Sequence, residues 1–537
     1  LGAVLGREFP YELIRAVSAQ DDETLQSGLM QLVEAELLYQ RGRVPRTRYI
    51  FKHALIQDAA YASLLRSKRQ PWHARIADVL QAQFPDVVEA EPELLAHHFT
   101  EAGRVDGAMT YWLKAGERAM QGSANAEAVS HLRRGLELVE GLPDTPERAR
   151  KELALQAPLG AALKAIKGDT GEETKAAYTR AYELCRHADQ AEQVFHVLYG
   201  VWNFLYVGVE LHKARELANE GLALAEDQRD AMPHLVAHDW MGVTSVSLGD
   251  LPTAKQHLEK ALSLYDPAHH RHLVYQCAED PYYESLSYLA LTHWLMGYPD
   301  QATERIEAAM AWARELAYDP SIAYTLFFAA MQAEFRGDVE ALRTRAEELV
   351  ALSTRQYMPD WLGFGTPLLG IAMIEQGETE RGLEKILEGL RLWGPGPHIY
   401  VPTYLSLGAR AYQRAGQLDQ ARRVLDEALE VVHKTDERIW EAELYRLQGE
   451  LLKNADCGLR IAECTPETCF NQALEVARNQ QAKSWELRAA TSLARLWQSQ
   501  DKPQDAYELL APVYEWFTEG FDTADLKDAK ALLAELS

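Results

Sequence analysis

Cysteine is scarce in this chain, with five in 537 residues, at positions 185, 277, 457, 464 and 469. So few thiols in so long a sequence do not make a disulfide framework, and a reducing cytoplasm suits them best. Long apolar runs are also missing. The best, Ile322–Met331, reaches only about half of the roughly 18 residues that a membrane helix needs. Basic residues are outnumbered, 55 Lys+Arg against 80 Asp+Glu, and the net charge of −25 argues against a nucleic-acid surface over most of the chain. There is no Gly-Lys dipeptide, so a phosphate-binding loop of the form G-x-x-x-x-G-K-[ST] is excluded; Gly168-Asp169-Thr170-Gly171 reads as a loop. H-E-x-x-H and G-x-S-x-G are absent as well, so no enzyme is expected within this segment. The opening Leu1-Gly2-Ala3-Val4-Leu5-Gly6 carries neither an initiator Met nor the pattern of a signal peptide. It reads as the start of a segment of a longer protein, with any catalytic apparatus upstream.

What the chain does have is helical periodicity nearly everywhere. Ala254, Leu258 and Ala261 share one helix face, and Gly249-Asp250 lies just before them. The same device recurs as Gly297 with Ala302, Ile306 and Ala309, as Gly377 with Gly382, Ile386 and Gly389, and as Gly416 with Ala421, Leu425 and Ala428. The glycine permits a tight turn after one helix, and the small residues let the next helix approach closely. Each such hairpin needs a neighbour to cover its remaining apolar face. These hairpins resemble the tetratricopeptide repeat, with Tyr404–Val432 the clearest copy. The steps between positions 214, 254, 302, 342, 382 and 421 are 40, 48, 40, 40 and 39, longer than the usual period of about 34. The fold expected is all-α: an α-superhelix of tetratricopeptide-like hairpins with a period of about 40. Leu444–Leu452 opens one further hairpin, which Asn454–Cys464 interrupts as a loop before Phe470 and Ala473 close it.

The first eighty residues differ. Phe9–Val17 reads as a short helix, and Leu25, Leu29, Leu32, Val33 and Leu37 give the apolar face of a second. Leu37–Gln40 and Tyr49–Phe51 flank a turn with Gly42 and Pro45, a short hairpin. Helices over His53–Leu65 and Gln70–Gln83 follow. Helices and then a small hairpin make a winged helix. Arg41, Arg43, Arg46 and Arg48 cluster on its wing, with Arg66, Lys68 and Arg69 beyond, and residues 1–80 carry 11 basic and 9 acidic side chains. DNA binding is therefore one reading of this segment. The candidate reading helix, residues 22–36, carries Asp22, Glu23, Glu34 and Glu36 and no base, which favours a packing role instead. The domains expected are 1–85 (winged helix), 86–140 (transitional hairpins) and 141–537 (repeat arm).

The phrase Tyr49-Ile-Phe-Lys-His-Ala-Leu-Ile-Gln-Asp-Ala-Ala-Tyr61 carries a likeness to a known family. So do Val4–Phe9, Arg69–Ala77, Pro92–His98, Leu487–Ala494 and Gly520–Thr523. With the order of elements, these resemble the C-terminal portion of bacterial STAND-type signal-transduction ATPases. The likeness is greatest to the large proteins in which a class III adenylate or guanylate cyclase, or a kinase or transcription-factor module, precedes the ATPase. The resemblance implies a nucleotide module upstream that holds ATP or ADP with Mg, a winged helix that closes over it, and an arm that senses a ligand or protein. Activation would then free the module to oligomerise. It also implies that His53, at the start of the helix after the wing, contacts the nucleotide phosphate. An imidazole N–H at a helix N-terminus suits an anion, although Ala54 stands where many relatives carry Asp, and His53 capping its own helix is the alternative. No cofactor is expected within this segment itself.

Two groupings of metal-ligating residue types lack the spacing of a metal site, so no metal site is expected. His269, His270, His272, Cys277 and Asp280 match no finger or knuckle spacing, and Cys457, Cys464 and Cys469 lack a fourth ligand. The favoured binding surface is the inside of the superhelix, lined by the first helix of each hairpin. Helical spacing aims Tyr199, Asn203, Tyr206, Asp239, Ser287, Trp294, Phe327, Glu334, Arg410, Arg414 and Arg446 at it. An aromatic stretch followed by an arginine-bearing one would suit a peptide, a protein or a small anionic ligand, with inter-repeat packing the alternative for the aromatics. A regulatory sensor arm is thus the leading function. A DNA-binding regulator and a plain interaction scaffold are the rivals, and no membrane partner is expected.

Overall fold

The computed structural model describes every residue except 44–45, 123, 169–170, 186–190, 275–278, 393–397 and 455–464, and omits the side chains of 191–193, 196 and 454. The chain divides into two compact units, Leu1–Ala162 and Leu163–Ser537.

The first unit holds a three-stranded antiparallel sheet, β1 (Glu8–Pro10), β2 (Leu38–Arg43) and β3 (Arg46–Phe51), in the order β1-β3-β2. Alternation sets its faces: Thr47, Tyr49 and Phe51 point inward along β3, and Phe9 stacks on Tyr49 at 5.9 Å. The hairpin joins Gln40 to Tyr49 as read from the sequence, but its strands run further into the arginines. The helix expected from Phe9 begins instead at Tyr11, because Phe9 pairs with Tyr49 as a strand and Pro10 keeps an extended backbone. Helices α1 (Tyr11–Val17) and α2 (Asp22–Glu34) lie between β1 and β2 in sequence; Asp21 caps α2 by accepting from the Thr24 amide. After β3 come α3 (Ala54–Ala62), α4 (Arg66–Gln83), α5 (Pro92–Glu101), α6 (Val105–Gln121), α7 (Asn125–Glu140) and α8 (Pro146–Lys167), with short helices at Gly2–Leu5 and Pro85–Ala90. The sheet's core does not stop at residue 85. Phe9, Leu38 and Ile76 share one cluster with Leu95, Phe99 and Trp112, so α5 and α6 belong to the same packed body. The division between units falls at 162/163, inside α8, and not at 85/86 or 140/141.

The second unit is an all-α superhelix of helical hairpins. Its main helices, in chain order, are α9 (Glu172–Cys185) and α10 (Ala191–Val207), α11 (Leu211–Glu226) and α12 (Ala231–Ser247), α13 (Leu251–Leu264) and α14 (Pro281–Leu295), α15 (Pro299–Leu316) and α16 (Asp319–Arg336), and α17 (Val339–Arg355) and α18 (Pro359–Glu375). They continue as α19 (Thr379–Leu392) and α20 (Val401–Arg414), α21 (Leu418–Thr435) and α22 (Glu441–Asn454), α23 (Pro466–Gln480) and α24 (Lys483–Ser499), and α25 (Pro503–Glu515) and α26 (Ala524–Leu536). The repeat device works as its sequence implies. Gly249, Gly297, Gly337, Gly377 and Gly416 all turn the chain with positive φ, from 70° to 91°, and Ala254, Ala302, Ala346 and Ala428 are fully buried behind them. Helices α18 and α19 approach closely, so that a Cβ on Gly370 would stand 2.5 Å from the Gly382 carbonyl oxygen. In the interrupted repeat, Phe470 of α23 fills the space over Gly449 of α22; the inserted loop lies outside the described residues.

The superhelix does not remain open. Its C-terminal turns come back onto α14–α16. Glu519 accepts from the amides of Asp300 and Gln301 at 2.9 and 3.1 Å, which caps the start of α15. Arg336 grips both oxygens of Asp522 at 2.8 Å, and Asp300 accepts from the Gly520 amide at 3.0 Å. The glycine turns are the seat of this closure. A Cβ on Gly297 would lie 2.6 Å from Trp516 and one on Gly337 2.9 Å from Ala524, whereas Gly377 and Gly416 face open space.

Candidate functional site

Closure decides which of the expected groove residues can meet a ligand. Tyr199, Asn203, Tyr206, Asp239, Ser287, Trp294 and Phe327 are all buried, at 5% exposure or less. They sit inside the packing, not on an open concave wall, because helices distant in sequence cover them. Trp294 stacks on Phe335 at 4.1 Å and meets Trp485 edge-on at 4.9 Å, while the Ser484 hydroxyl donates to its carbonyl at 2.5 Å. Phe327 packs against Phe364 and Tyr400. Tyr206, Tyr288 and Tyr400 join hydroxyl to hydroxyl at 2.7 and 2.6 Å, and Ser247 ends the row at 2.9 Å from Tyr206. Burial raises the pKa of each of these three phenols.

Beside this row lies a group of acids. Tyr199 donates to Glu279 at 2.5 Å, Lys164 of α8 binds the other Glu279 oxygen at 2.9 Å, and Ser285 donates to Asp239 at 2.5 Å. Burial, reinforced by the negative charge of neighbouring carboxylates such as Glu279, pushes Asp239 and Glu284 well above the ordinary carboxylate range. Further along, Glu437 accepts from the Tyr400 amide at 2.9 Å, and burial lifts its carboxyl to about 8.

Glu334, Arg410, Arg414 and Arg446 behave differently. They line a cavity of about 370 Å³, together with Glu375, Glu443, Arg488, Arg495, Asp525 and Asp528. Helices α16, α17, α18, α20, α22, α24 and α26 all supply lining residues. Every guanidinium has a carboxylate partner. Arg410 reaches Glu334 at 2.5 Å, Arg414 reaches Glu375 at 2.7 Å, and Arg446 takes Glu443 in a two-pronged pair at 2.7 Å. Arg488 binds Asp525 at 2.7 Å while its guanidinium lies over Trp294 and Trp485; Arg495 pairs with Asp528. Burial pushes Glu443 up, but Arg446 with Arg488 beyond it prevails and holds the carboxyl below its ordinary value. Sequence reasoning missed Arg488, Arg495, Asp525 and Asp528. The first two stand seven apart on one helix face, a spacing that a search for paired arginines would have found.

In the first unit, His53 is exposed at the N-cap of α3, and its side chain makes no cap hydrogen bond. The β2–β3 hairpin arginines 41, 43, 46 and 48 are exposed, with Arg48 paired to Glu8, whereas Arg69 is spent on the carbonyls of Ala62 and Leu64. Of the residues in the two metal-like groupings, Cys277, Cys457 and Cys464 lie outside the described residues. Asp280 caps α14 and accepts from Tyr265 and Trp312, and His270 accepts from the Asp266 amide. Among the described residues no three His, Cys, Asp or Glu are placed to hold a metal ion, and no helix is long and apolar enough to cross a membrane.

This is a superhelical repeat protein of tetratricopeptide-like hairpins. No family model matches the chain. It is 27% identical over 502 residues to an uncharacterized protein of Rhizobium meliloti (strain 1021), a match that covers 92% of this chain and 48% of the relative. The chain thus spans about half the length of that curated relative. Among solved structures it is similar to a Rap protein complexed with competence and sporulation factor, with a TM-score of 0.49 and 11% identity over 73% of this chain and 100% of that one. The quorum sensor NprR in complex with its cognate peptide NprX gives 0.47 and 13%, over 68% and 99%. The anaphase-promoting-complex hetero-tetramer Cut9–Hcn1 gives 0.46 and 13%, over 90% and 88%.

Proposed function

We infer that this chain is the non-catalytic sensing segment of a longer signal-transduction ATPase, and that the arginine–carboxylate cavity of its repeat arm receives the signal. The observation that carries this reading is the cavity itself. Five arginines and their partner carboxylates converge from at least five helices on a space of about 370 Å³, within the size range of small-ligand sites. A scaffold without a ligand would gain more from apolar packing there than from so many desolvated charges.

The coupling to a nucleotide module rests on the first unit. Its sheet and intervening helices fit a winged helix, and the resemblance spread along the chain names the upstream partner as an ATPase carrying ATP or ADP with Mg, followed by an effector such as a class III cyclase. His53 has what a phosphate contact requires: an exposed imidazole at the N-terminus of a nine-residue helix, free of any cap bond. Helix α3 itself has no buried residue, and its Leu55 is 79% exposed, a face that the upstream module would cover. The reading helix of a DNA binder is again unsupported, since α2 carries acids at both ends and no base.

The test is made in the longer protein. His53→Ala should accelerate ADP release and raise basal output, and Arg414→Glu should remove the response to the activating ligand without changing ADP release in its absence. Unchanged nucleotide retention in the first variant refutes the coupling, and an unchanged response in the second refutes the cavity as receiver.

A further inference from the structure

The sheet of the first unit carries charge on its outer face that the fold does not use. Side chains alternate along β2 and β3, so Leu38, Thr47, Tyr49 and Phe51 are buried, while Tyr39, Arg41, Arg43, Arg46, Arg48 and Ile50 point the other way. The register sets Arg41 directly opposite Arg48 and Arg43 directly opposite Arg46. Like charges so placed cost the hairpin stability. One carboxylate relieves them. Glu8 of β1 binds Arg48 at 2.9 Å, whereas Arg41, Arg43 and Arg46 have no carboxylate partner among the described residues. Four guanidiniums against one acid favour an anionic occupant.

The edge of this sheet is open as well. β2 is the last strand in the order β1-β3-β2, and past Leu38 all of its side chains are exposed. The Lys52 amide donates to the Leu37 carbonyl at 3.0 Å. Counting along the ladder from that bond turns the backbone of Tyr39 and Arg41 toward β3, and that of Leu38 and Gln40 toward the open edge. Such an edge is a template for another strand. The arginines bar a second copy's β2 from it, since Arg would face Arg, and they admit a strand with acids at alternate positions. A nucleic-acid duplex suits the site less. Residues 1–80 carry 11 basic side chains against 9 acidic ones, too small a surplus for the row of phosphate contacts a duplex demands, and α2, which leads into β2, has no base at all.

We propose that the β2 edge takes an extended acidic segment of a partner protein as a fourth strand, with its carboxylates set against Arg41 and Arg43. Backbone bonds at Leu38 and Gln40 supply the grip, and the arginines choose the partner. The site lies wholly in the first unit and does not depend on the cavity of the arm.

The experiment uses the full chain and two capped hexapeptides, one alternating glutamate with threonine and the other lysine with threonine. Fluorescence anisotropy of the labelled peptides reads binding, and residue-resolved amide hydrogen exchange reads the strands. The glutamate peptide should bind about tenfold tighter than the lysine peptide, despite the net charge of −25, and should weaken as salt is raised. It should slow exchange at Gln40 severalfold and leave Ile50, already bonded to Tyr39 in the ladder, unchanged. Arg41→Glu combined with Arg43→Glu should reverse the preference between the two peptides, a result that loss of folding cannot give. Gln40→Pro removes an edge-facing N–H that β3 does not use, and should weaken the glutamate peptide severalfold. A preference that survives the charge reversal, binding that leaves Gln40 exchanging as before, or no binding of either peptide would each overturn the proposal. So would tighter binding of a DNA duplex than of the glutamate peptide, or self-association of the chain that the charge reversal abolishes.

Discussion

Glu437 offers the sharpest measurement of what the arm's interior costs. Its carboxyl is fully buried just before Arg438–Trp440, with one oxygen accepting from the Tyr400 amide and the other without a partner among the described residues. Burial raises it from 4.5 to about 8, so between those values the folded chain holds a proton that the unfolded chain has released. Its contribution to stability is therefore complete below pH 4.5 and lost as the pH climbs through 8, at about 1.4 kcal/mol per pH unit. Glu437→Gln keeps the acceptor for Tyr400 and cannot ionise. Its unpartnered amide adds a cost of about 1–3 kcal/mol that does not vary with pH. The signal is the slope. From pH 5 to 8 the variant should gain on the parent by about 4 kcal/mol. For a unit spanning Leu163–Ser537, at about 2 cal/mol/K of unfolding entropy per residue, that is roughly 5 °C in Tm. Calorimetric scans of both proteins at four pH values, followed in parallel by the fluorescence of the buried Trp440 and Trp485, suffice. A Tm difference that stays flat from pH 5 to 8 would refute the reasoning, because the other buried acids are common to both chains and cancel.

Three further outcomes are expected. In the first unit, His98 and His73 share a bond between their Nδ1 atoms at 2.8 Å, and His73 passes to Tyr61 at 2.9 Å; burial lowers them to about 3 and about 4. The folded unit thus resists protonation that the unfolded chain accepts, so the protection of the α5 amides, taken relative to their intrinsic exchange rates, should fall as the pH drops from 6.5 to 4, and His73→Gln with His98→Gln should flatten that dependence. Gly382→Ala sets a methyl against the Gly370 carbonyl oxygen and should destabilise the arm by about 1–3 kcal/mol in urea unfolding, whereas Gly28→Ala, which meets no neighbouring atom, should not. Gly520→Ala combines a φ of 72° with a collision against Pro299, and should speed exchange across 516–525 while leaving α9–α11 untouched; equal rates in both regions would contradict the closure.

The repeats were legible because each is a local event. A glycine turn and small residues at positions four and seven apart declare a hairpin without reference to the rest of the chain, as Gly416 with Ala421, Leu425 and Ala428 does. The hairpin of β2 and β3 was legible for the same reason, whereas β1 was hidden in a stretch that ends in Pro10 and whose partner strand lies about 40 residues on. The groove was half legible. Spacing aims Trp294 and Arg446 at the inside of the superhelix alike, and it cannot say that Trp485 and Ser484 return to cover the first and leave the second facing a cavity. Those contacts join residues 186 to 219 apart, such as Arg336 with Asp522 and Asp300 with Glu519. Ordinary surface charges make them, and no local pattern sets such charges apart.

The returning C-terminus also has a consequence for the order in which the chain is made. An open array of hairpins can settle one repeat at a time as it leaves the ribosome, each on the one before. Here Trp294, Phe335 and Trp440 complete their packing only against Trp485, so this aromatic edge must wait, solvated, while nearly 200 further residues are synthesised after the first of them. At about 5–20 residues per second that is an interval of roughly 10–40 seconds. During that interval the nascent arm presents a hydrophobic stripe to whatever chaperone, or whatever neighbouring chain, reaches it first.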